Sequence, residues 1–201
     1  AEEEAYLRIV EHGVTTHLSV RGAVNVVPRD MFGIVPILQI GAVMRCLPPK
    51  VADALAAPLV RLTVGDITKV GLRKLPYGPN AQIAHDKHLQ LLDIGSMEHI
   101  KAGRITVHGA IACFDESGVE FEDGSRLDVD AVVLGTGYRP ALEDFLPQWQ
   151  DVCDETGRPL ASGGATALPG LFFCGQFVSP SGMLRESGIE SRRIATAIAS
   201  R

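Results

Sequence analysis

The residues best suited to chemistry follow an apolar run at 127–134, which ends abruptly in Gly135-Thr136-Gly137. An apolar run that stops at glycine is typical of a buried parallel strand at its carboxyl end. Ligands bind at that edge of an open α/β sheet, and glycines there let the backbone approach a flat or phosphorylated ligand without a Cβ clash. Pro140 then ends the ladder. We therefore expect a ligand-facing turn here, where one nucleotide-binding domain crosses into the next.

A cation follows another predicted strand near the start of the chain. Residues Thr15–Val20 are predicted to form the second strand of a βαβ unit, and Arg21 stands at its end. In dinucleotide-binding folds an acid at this position favours NAD, whereas a cation accommodates the 2′-phosphate of NADP. Arg21 therefore favours NADPH. The alternative is a surface arginine that ends a strand without touching a ligand.

Composition narrows the class of protein. A length of 201 residues allows one sizeable domain or parts of two. A hydrophobic content of 46% and a charged content of 21% describe an ordinary soluble chain. The net charge of −5, with no basic cluster, argues against nucleic-acid binding. No signal peptide is visible, so we expect a cytoplasmic protein.

Cysteines and histidines give no metal or disulfide pattern. The four cysteines lie far apart without a CxxC pair, which disfavours a zinc site and a redox disulfide; they are Cys46, Cys113, Cys153 and Cys174. His85 and His88 are three positions apart, but no third ligand stands at suitable spacing. We interpret both as surface residues and predict no metal site.

The elements that must position these residues are an α/β set. We expect a helix at residues 1–11, two helices joined at Pro48-Pro49 within 31–64, and a helix with Ser96 as N-cap. Neither half of 31–64 is long enough for a membrane span, so none is predicted. A β-meander is expected at 104–130 and a buried strand at 171–174. A last helix should cover 181–199, packing through a stripe at helical spacing, which is Leu184, Gly188, Ser191, Ala195 and Ile198.

Several motifs, taken together, resemble flavin-containing monooxygenases, in particular the class that includes plant auxin-forming enzymes and bacterial flavoproteins. Residues 133–140, Val-Leu-Gly-Thr-Gly-Tyr-Arg-Pro, resemble that family's linker motif, with Gly135 in place of the usual alanine. Residues 18–29 resemble the strand and turn after the family's second dinucleotide fingerprint. Residues 171–176 and 183–187 resemble its closing strand and flavin-facing helix.

The resemblance implies a Rossmann-like fold with two dinucleotide-binding domains. Residues 1–136 would be the remainder of the NADPH domain, with the helical insertion 31–64 and the β-meander 104–130, and 137–201 would complete the FAD domain. NADPH would reduce FAD, and a flavin C4a-(hydro)peroxide would oxygenate a small organic substrate. The implied cofactor contacts are Arg21, Gly135, Thr136, Gly137, Tyr138, Gly175, Gln176, Met183 and Leu184. No catalytic side chain is implied.

One departure from the family is large. Neither of its two GxGxxG loops occurs in this sequence. We therefore expect the chain to be the C-terminal part of a longer flavoprotein, inactive alone, with self-association through a truncated face as an open possibility. Two alternatives stay open: an NAD(P)H-dependent flavoprotein reductase of the same fold, and a non-catalytic remnant that serves as an interaction module.

Overall fold

Within the described residues, six α-helices and nine short strands follow one another in groups, with four strands in succession after the first helix and four more after the fifth. The computed structural model describes residues 2–86, 88–137 and 140–200, with only the backbone for 2–6. The helices are α1 (Glu2–Glu11), α2 (Ile37–Met44), α3 (Pro49–Thr63), α4 (Pro79–Asp86), α5 (Ser96–Lys101) and α6 (Met183–Ala199). The strands are β1 (Thr16–Ser19), β2 (Val26–Pro28), β3 (Asp30–Met31), β4 (Val35–Pro36), β5 (Leu91–Asp93), β6 (Ile105–His108), β7 (Ile111–Phe114), β8 (Gly118–Phe121) and β9 (Arg126–Asp128).

Two parallel strand pairs lie around the main core. β1 pairs with β6, with Thr16 opposite Ile105, and β2 pairs with β5, with Val26 opposite Leu91. Parallel strands need a crossover connection, and helices lie between both partners in the sequence. The buried side chains that pack together are Val10, Val26, Val64, Ile67, Leu72, Met97, Ile100 and Ile105. The predicted α/β class with parallel strands is confirmed at this level.

The meander forms, but from a different set of strands than the sequence indicated. β7, β8 and β9 make an antiparallel sheet in that order. β6, which we expected to open the meander, pairs instead with β1. The hairpin between β8 and β9 turns at Gly124, whose φ of 80° suits glycine, and the Asp123 carboxylate accepts the Ser125 amide at 2.9 Å.

The apolar segment 31–64 forms two helices, as predicted. α2 ends at Met44, and Pro48 is the residue before α3, which begins at Pro49. Proline is tolerated at this first helical position because the first helical N–H groups have no partner. Asp53 attaches α3 to α4: its carboxylate accepts the backbone amides of Asn80 at 2.8 Å and Ala81 at 3.0 Å. Within the described residues, no helix has both the length and the apolar character that a membrane crossing requires.

Two predicted buried strands are wrong. Past β9, residues 129–137 have no regular secondary structure, and Val133 and Leu134 are 68% and 70% exposed. Residues 171–174 form only an isolated bridge, between Ala165 and Phe172. An extended segment becomes a strand only when a neighbour accepts and donates its backbone hydrogen bonds, and the described chain places no ladder beside either one. The sequence pattern indicated that these segments tend to be extended, but not which strand would pair with them.

The predicted cap of α5 is also wrong. Ser96 is already the first helical residue, and the residue before it is Gly95. The capping acceptor is Asp93: its Oδ1 receives the Met97 amide and the Ser96 hydroxyl, both at 3.1 Å. Aspartate is as good an acceptor for these free amides as serine, and it reaches them from the end of β5.

Candidate functional site

The end of β1 lies beside two further cations that the sequence pattern did not indicate. Arg21 lies two residues beyond β1 with an exposed side chain, and its backbone carbonyl accepts a hydrogen bond from the Arg73 guanidinium. A parallel bridge joins Val24 to Lys74, and the Val24 amide donates to the Arg73 carbonyl at 2.8 Å. Three exposed cations, Arg21, Arg73 and Lys74, therefore lie on adjacent backbone at the carboxyl end of a parallel strand. The adjacent basic residues Arg73-Lys74 were the missed signal.

The linker residues lie on the surface. Gly135, Thr136 and Gly137 are exposed and follow the unpaired apolar segment. Gly137 has a φ of 78°, and an added Cβ would meet no atom within 4 Å, so open space adjoins this turn. Tyr138 lies outside the described residues. Among the residues that the structure describes, the linker glycines do not form a binding site together with the other predicted site residues.

The amides of Gly175 and Gln176 already have protein partners. The Gly175 N–H donates to Glu190 Oε2 at 2.5 Å, and the Gln176 N–H donates to Ser162 Oγ at 3.1 Å. Glu190 is 3% exposed, and a Cβ on Gly163 would lie 2.6 Å from its Cγ. A ligand contact through either amide would therefore have to displace an existing hydrogen bond.

The first turn of α6 contains Met183 and Leu184, and the face that this helix buries is not the predicted one. Leu184 is 91% exposed, and Gly188, Ser191, Ala195 and Ile198 of the predicted stripe are exposed as well. The buried side chains are instead Glu186 and Glu190, four positions apart on the inner side. The apolar periodicity of α6 predicted the wrong face and did not indicate these two acids. The missed signal was their i, i+4 spacing, which places them on one face.

Glu186 is the centre of a buried polar network. Its carboxylate accepts hydrogen bonds from the Ser181 hydroxyl, from Arg45 Nη1 at 2.7 Å and from Arg185 Nη1 at 3.1 Å. Ser179, also buried, lies 2.9 Å from Ser181 through the two hydroxyl oxygens. The Ser181 hydrogen bond and the two guanidinium charges hold the pKa of Glu186 below its ordinary value. Glu186 is therefore an ionised carboxylate whose charge is balanced by two arginines, and it is not available as a general base.

Helix α2 packs directly against the segment that leads into α6. Gly41 lies so close to the Pro180 carbonyl oxygen that a Cβ would clash with it. Leu38 lies within van der Waals distance, 3.5 Å, of a Cβ added to Gly182. With the Arg45–Glu186 ion pair, these contacts attach the helical insertion to the start of the last helix. A cavity of about 230 Å³ adjoins this junction, with both buried acids among its lining residues.

Other reactive side chains do not converge. Among the residues that the structure describes, no group of three or more histidine, cysteine or acidic side chains could hold a metal ion. His85 lies beside the Tyr77 ring, whereas His88 Nε2 lies 3.0 Å from Arg158 Nη2. All four cysteines have free thiols, and only Cys153 is buried. Burial raises the pKa of the Cys153 thiol, which lowers its nucleophilicity at neutral pH.

Comparison with known proteins shows what the chain is similar to. No protein-family model matches the chain, but it is similar over most of its length to plant monooxygenases, so the expected resemblance to flavin-containing monooxygenases is confirmed. It is 32% identical over 202 aligned residues to indole-3-pyruvate monooxygenase YUCCA8 of Oryza sativa subsp. indica, covering 98% of this chain and 48% of that protein. It is 34% identical over 145 residues to the probable indole-3-pyruvate monooxygenase YUCCA9 of Arabidopsis thaliana, covering 72% and 34%. The chain spans about half the length, or less, of the curated relatives it matches.

Proposed function

We propose that this chain forms part of an FAD- and NADPH-dependent monooxygenase that oxygenates a small organic substrate. The observation that carries the proposal is the similarity to named monooxygenases along 98% of the chain. The chain's own residues would bind and orient the two cofactors, with residues 1–136 on the NADPH side and 137–201 on the FAD side. Bound flavin would supply the hydride acceptance and oxygen activation that amino-acid side chains lack.

The NADPH side is supported by the cations that follow β1. The carboxyl end of a parallel strand is where dinucleotides bind, and a cation there accommodates the 2′-phosphate. Arg21 would contact that phosphate, and Arg73 would hold the Arg21 backbone while adding a second guanidinium. Lys74 adds a third positive charge to the same edge. All three side chains are exposed, and none of them forms an ion pair within the described part of the chain. A phosphate could therefore bind them without displacing a carboxylate.

On the FAD side, some of the expected cofactor contacts have free backbone groups and others do not. The first N–H groups of a helix have no intrahelical partner, so those of Met183 and Leu184 in α6 could face a flavin edge that gains negative charge on reduction. Glu186 in the same turn would repel that charge if it were unpaired, but Arg45 and Arg185 neutralise it. Gly175 and Gln176 would instead contribute mainly to the shape of the site, because their amides are engaged.

Gly135, Thr136, Gly137 and Tyr138 would occupy the crossing between the two cofactor sides. The exposed backbone and the open space at Gly137 leave room for a planar ligand to approach. The named substrate of the relatives is indole-3-pyruvate, so a 2-oxo acid with an aromatic side chain is the first substrate to test. Small sulfur and nitrogen nucleophiles are the second group.

Oxygen consumption tests the proposal. The complete open reading frame that contains this chain would be expressed, and oxygen uptake would be followed with NADPH, with and without indole-3-pyruvate and the nucleophile panel. We expect NADPH-dependent oxygen uptake that yields an oxygenated product from at least one compound. NADPH oxidation that instead reduces an added electron acceptor, with no oxygen incorporated into any product, would favour a reductase and contradict the proposal.

A further inference from the structure

Two histidines contact each other on the side of the β1–β6 pair that faces away from the main core. Leu18 and Val107 pack against the core, and successive strand residues point to opposite sides, so His17 and His108 share the other side. His17 Nδ1 lies 3.0 Å from His108 Nε2, which is a hydrogen-bond distance. Both side chains are partly buried. The two residues are 91 positions apart, and the parallel pairing of β1 with β6 brings them together.

The meander covers this histidine pair. The buried Phe121 ring of β8 stacks on the His108 ring, with the centroids 4.6 Å apart and the planes 9° apart. Asp123, in the turn after β8, is the charged residue of the meander that acts on His108. The residues of β1 and β6 that share this side with the histidines, Ser19 and Thr106, are uncharged. The pair therefore connects β1, β6 and the meander.

The contact between the two rings depends on their protonation. A neutral imidazole has one N–H and one free lone pair, whereas an imidazolium has two N–H groups and no acceptor. A neutral or singly charged pair can keep the hydrogen bond, but two charged rings would bring two N–H groups and two like charges together. Burial, and then His17, lower the pKa of His108, and Asp123 opposes this shift only in part.

The end of β1 is held by the backbone at the same histidine. The Val20 N–H donates to the His108 carbonyl at 3.0 Å, and the Ser19 hydroxyl donates to the Gly109 carbonyl at 2.7 Å. Arg21 follows Val20 directly. A displacement of His108 would therefore also move the strand end at which the cations Arg21, Arg73 and Lys74 lie.

We propose that the His17–His108 pair is a pH-dependent contact, which fixes the end of β1 at neutral pH and releases it when both rings are charged. Because the pKa of His108 is lowered in the folded chain, the chain with this contact open binds more protons. The stabilisation is therefore complete above the ordinary histidine value of about 6.5 and is lost as the pH falls toward the lower folded value. The consequence for the cofactor rests on the proposed function: NADPH would bind less tightly in acid, because Arg21 would no longer be fixed.

Hydrogen exchange followed by mass spectrometry tests the pair in the product of the complete open reading frame. Peptides that contain residues 16–20 and 105–109 would be compared at about pH 7 and about pH 5, which bracket the ordinary histidine range. The main variant is His17→Asn, because an amide can donate to a neutral His108 and accept from a charged one. We expect these peptides to lose protection at the lower pH in the wild type and to keep it in His17→Asn. Equal responses to pH in the two proteins would overturn the proposal.

Two further variants control this measurement. His12→Asn makes the same substitution at an exposed histidine after α1, and its peptides should respond to pH as those of the wild type do. His108→Gln removes the other ring and should also keep the protection, so that the test does not depend on one variant. Circular dichroism at neutral pH confirms that each variant is folded.

Fluorescence titration with NADPH at the same two pH values tests the consequence for the cofactor. A phosphate monoester itself takes up a proton near pH 6, so the informative quantity is the difference between wild type and His17→Asn. We expect the affinity of the wild type to fall further in acid than that of the variant. Equal falls would overturn the connection between the pair and Arg21. Absence of NADPH binding at both pH values would instead contradict the proposed function, and hydrogen exchange would still decide on the pair.

Discussion

Arg45 Nη1 lies 2.7 Å from Glu186 Oε1 and joins the end of α2 to the first turn of α6. The two partners differ in burial, since the Glu186 side chain is 6% exposed and the Arg45 side chain 38%. Glu186 is therefore the group that depends on the contact, because a buried carboxylate without a partner is costly. This ion pair, with the Gly41–Pro180 contact, connects the helical insertion to the last helix, and it leads to the first three predictions.

Removal of the arginine should destabilise the protein more than neutralisation of the acid. Arg45→Met leaves the buried carboxylate with fewer partners and should lower the free energy of unfolding by about 1–3 kcal/mol. Glu186→Gln keeps the Ser181 contact and should cost less. In the double variant the arginine loss should matter little, which gives a coupling energy of about 0.5–3 kcal/mol.

Urea unfolding measures the stability of all three variants. Arg104→Met, which breaks an exposed pair with Glu98 at 3.4 Å, is the control, and equal losses for Arg45→Met and this control would refute the role of the pair.

The same carboxylate should contribute to loss of stability in acid. The pKa of Glu186 is lowered in the folded state, chiefly by the Ser181 hydrogen bond and then by Arg45 and Arg185. The unfolded chain then binds more protons, so this stabilisation is complete above the unfolded value, about 4.3. It is lost as the pH falls through the lower folded value.

Urea unfolding at a series of pH values separates Glu186 from other acids. Other carboxylates also have lowered pKa values: Asp115 chiefly through Arg126 of β9, and Asp66, Asp123 and Asp154 chiefly through hydrogen bonds within their own turns. Only the difference between wild type and Glu186→Gln is therefore informative. That difference should shrink below pH about 4. A difference that stays constant with pH would show that the carboxylate is not ionised in the fold.

Two glycines should respond to alanine with opposite signs. Both lie within helices, where alanine ordinarily adds about 0.5–1 kcal/mol of stability. A Cβ at Gly188 would meet nothing within 4 Å, so Gly188→Ala in α6 should follow that rule. A Cβ at Gly41 would clash with the Pro180 carbonyl oxygen, and Gly41→Ala should destabilise by about 1–3 kcal/mol, as overpacking does. Thermal unfolding of the two variants gives the comparison, and a stabilising Gly41→Ala would mean that α2 is not packed against this segment.

The cations after β1 should discriminate between the two nicotinamide cofactors. Arg21→Ala should weaken NADPH binding by about 1–3 kcal/mol, the value of a lost charged hydrogen bond, and leave NADH nearly unchanged. Arg73→Ala should act in the same direction, because Arg73 holds the Arg21 carbonyl. Fluorescence titration of the flavoprotein with both cofactors measures this, with Arg192→Ala as a distant control. Equal losses for NADPH and NADH would remove the 2′-phosphate assignment.

The sequence predicted best those features that depend on local rules. The two helices separated at Pro48-Pro49 and the end of β1 before Arg21 follow from proline geometry and strand pattern. The resemblance to a monooxygenase family was also readable, because it depends on the order of several motifs along the chain.

Long-range partners could not be read from periodicity. Residues 129–134 and 171–174 have the composition of buried strands but no neighbouring ladder in the described chain. The apolar stripe of α6 is exposed, whereas two acids four residues apart face inward because Arg45 and the Gly175 amide satisfy them. Arg45 is separated from Glu186 by 141 positions, and no local pattern indicates such a pair.

We propose above that this chain contributes to the binding of a flavin that NADPH reduces. The most direct measurement is the visible absorption spectrum of the purified product of the complete open reading frame, followed without oxygen as NADPH is added. We predict an oxidised flavin spectrum that NADPH bleaches and that NADH bleaches far more slowly. A protein that stays colourless after incubation with FAD, or a bound flavin that NADPH leaves oxidised, would contradict it.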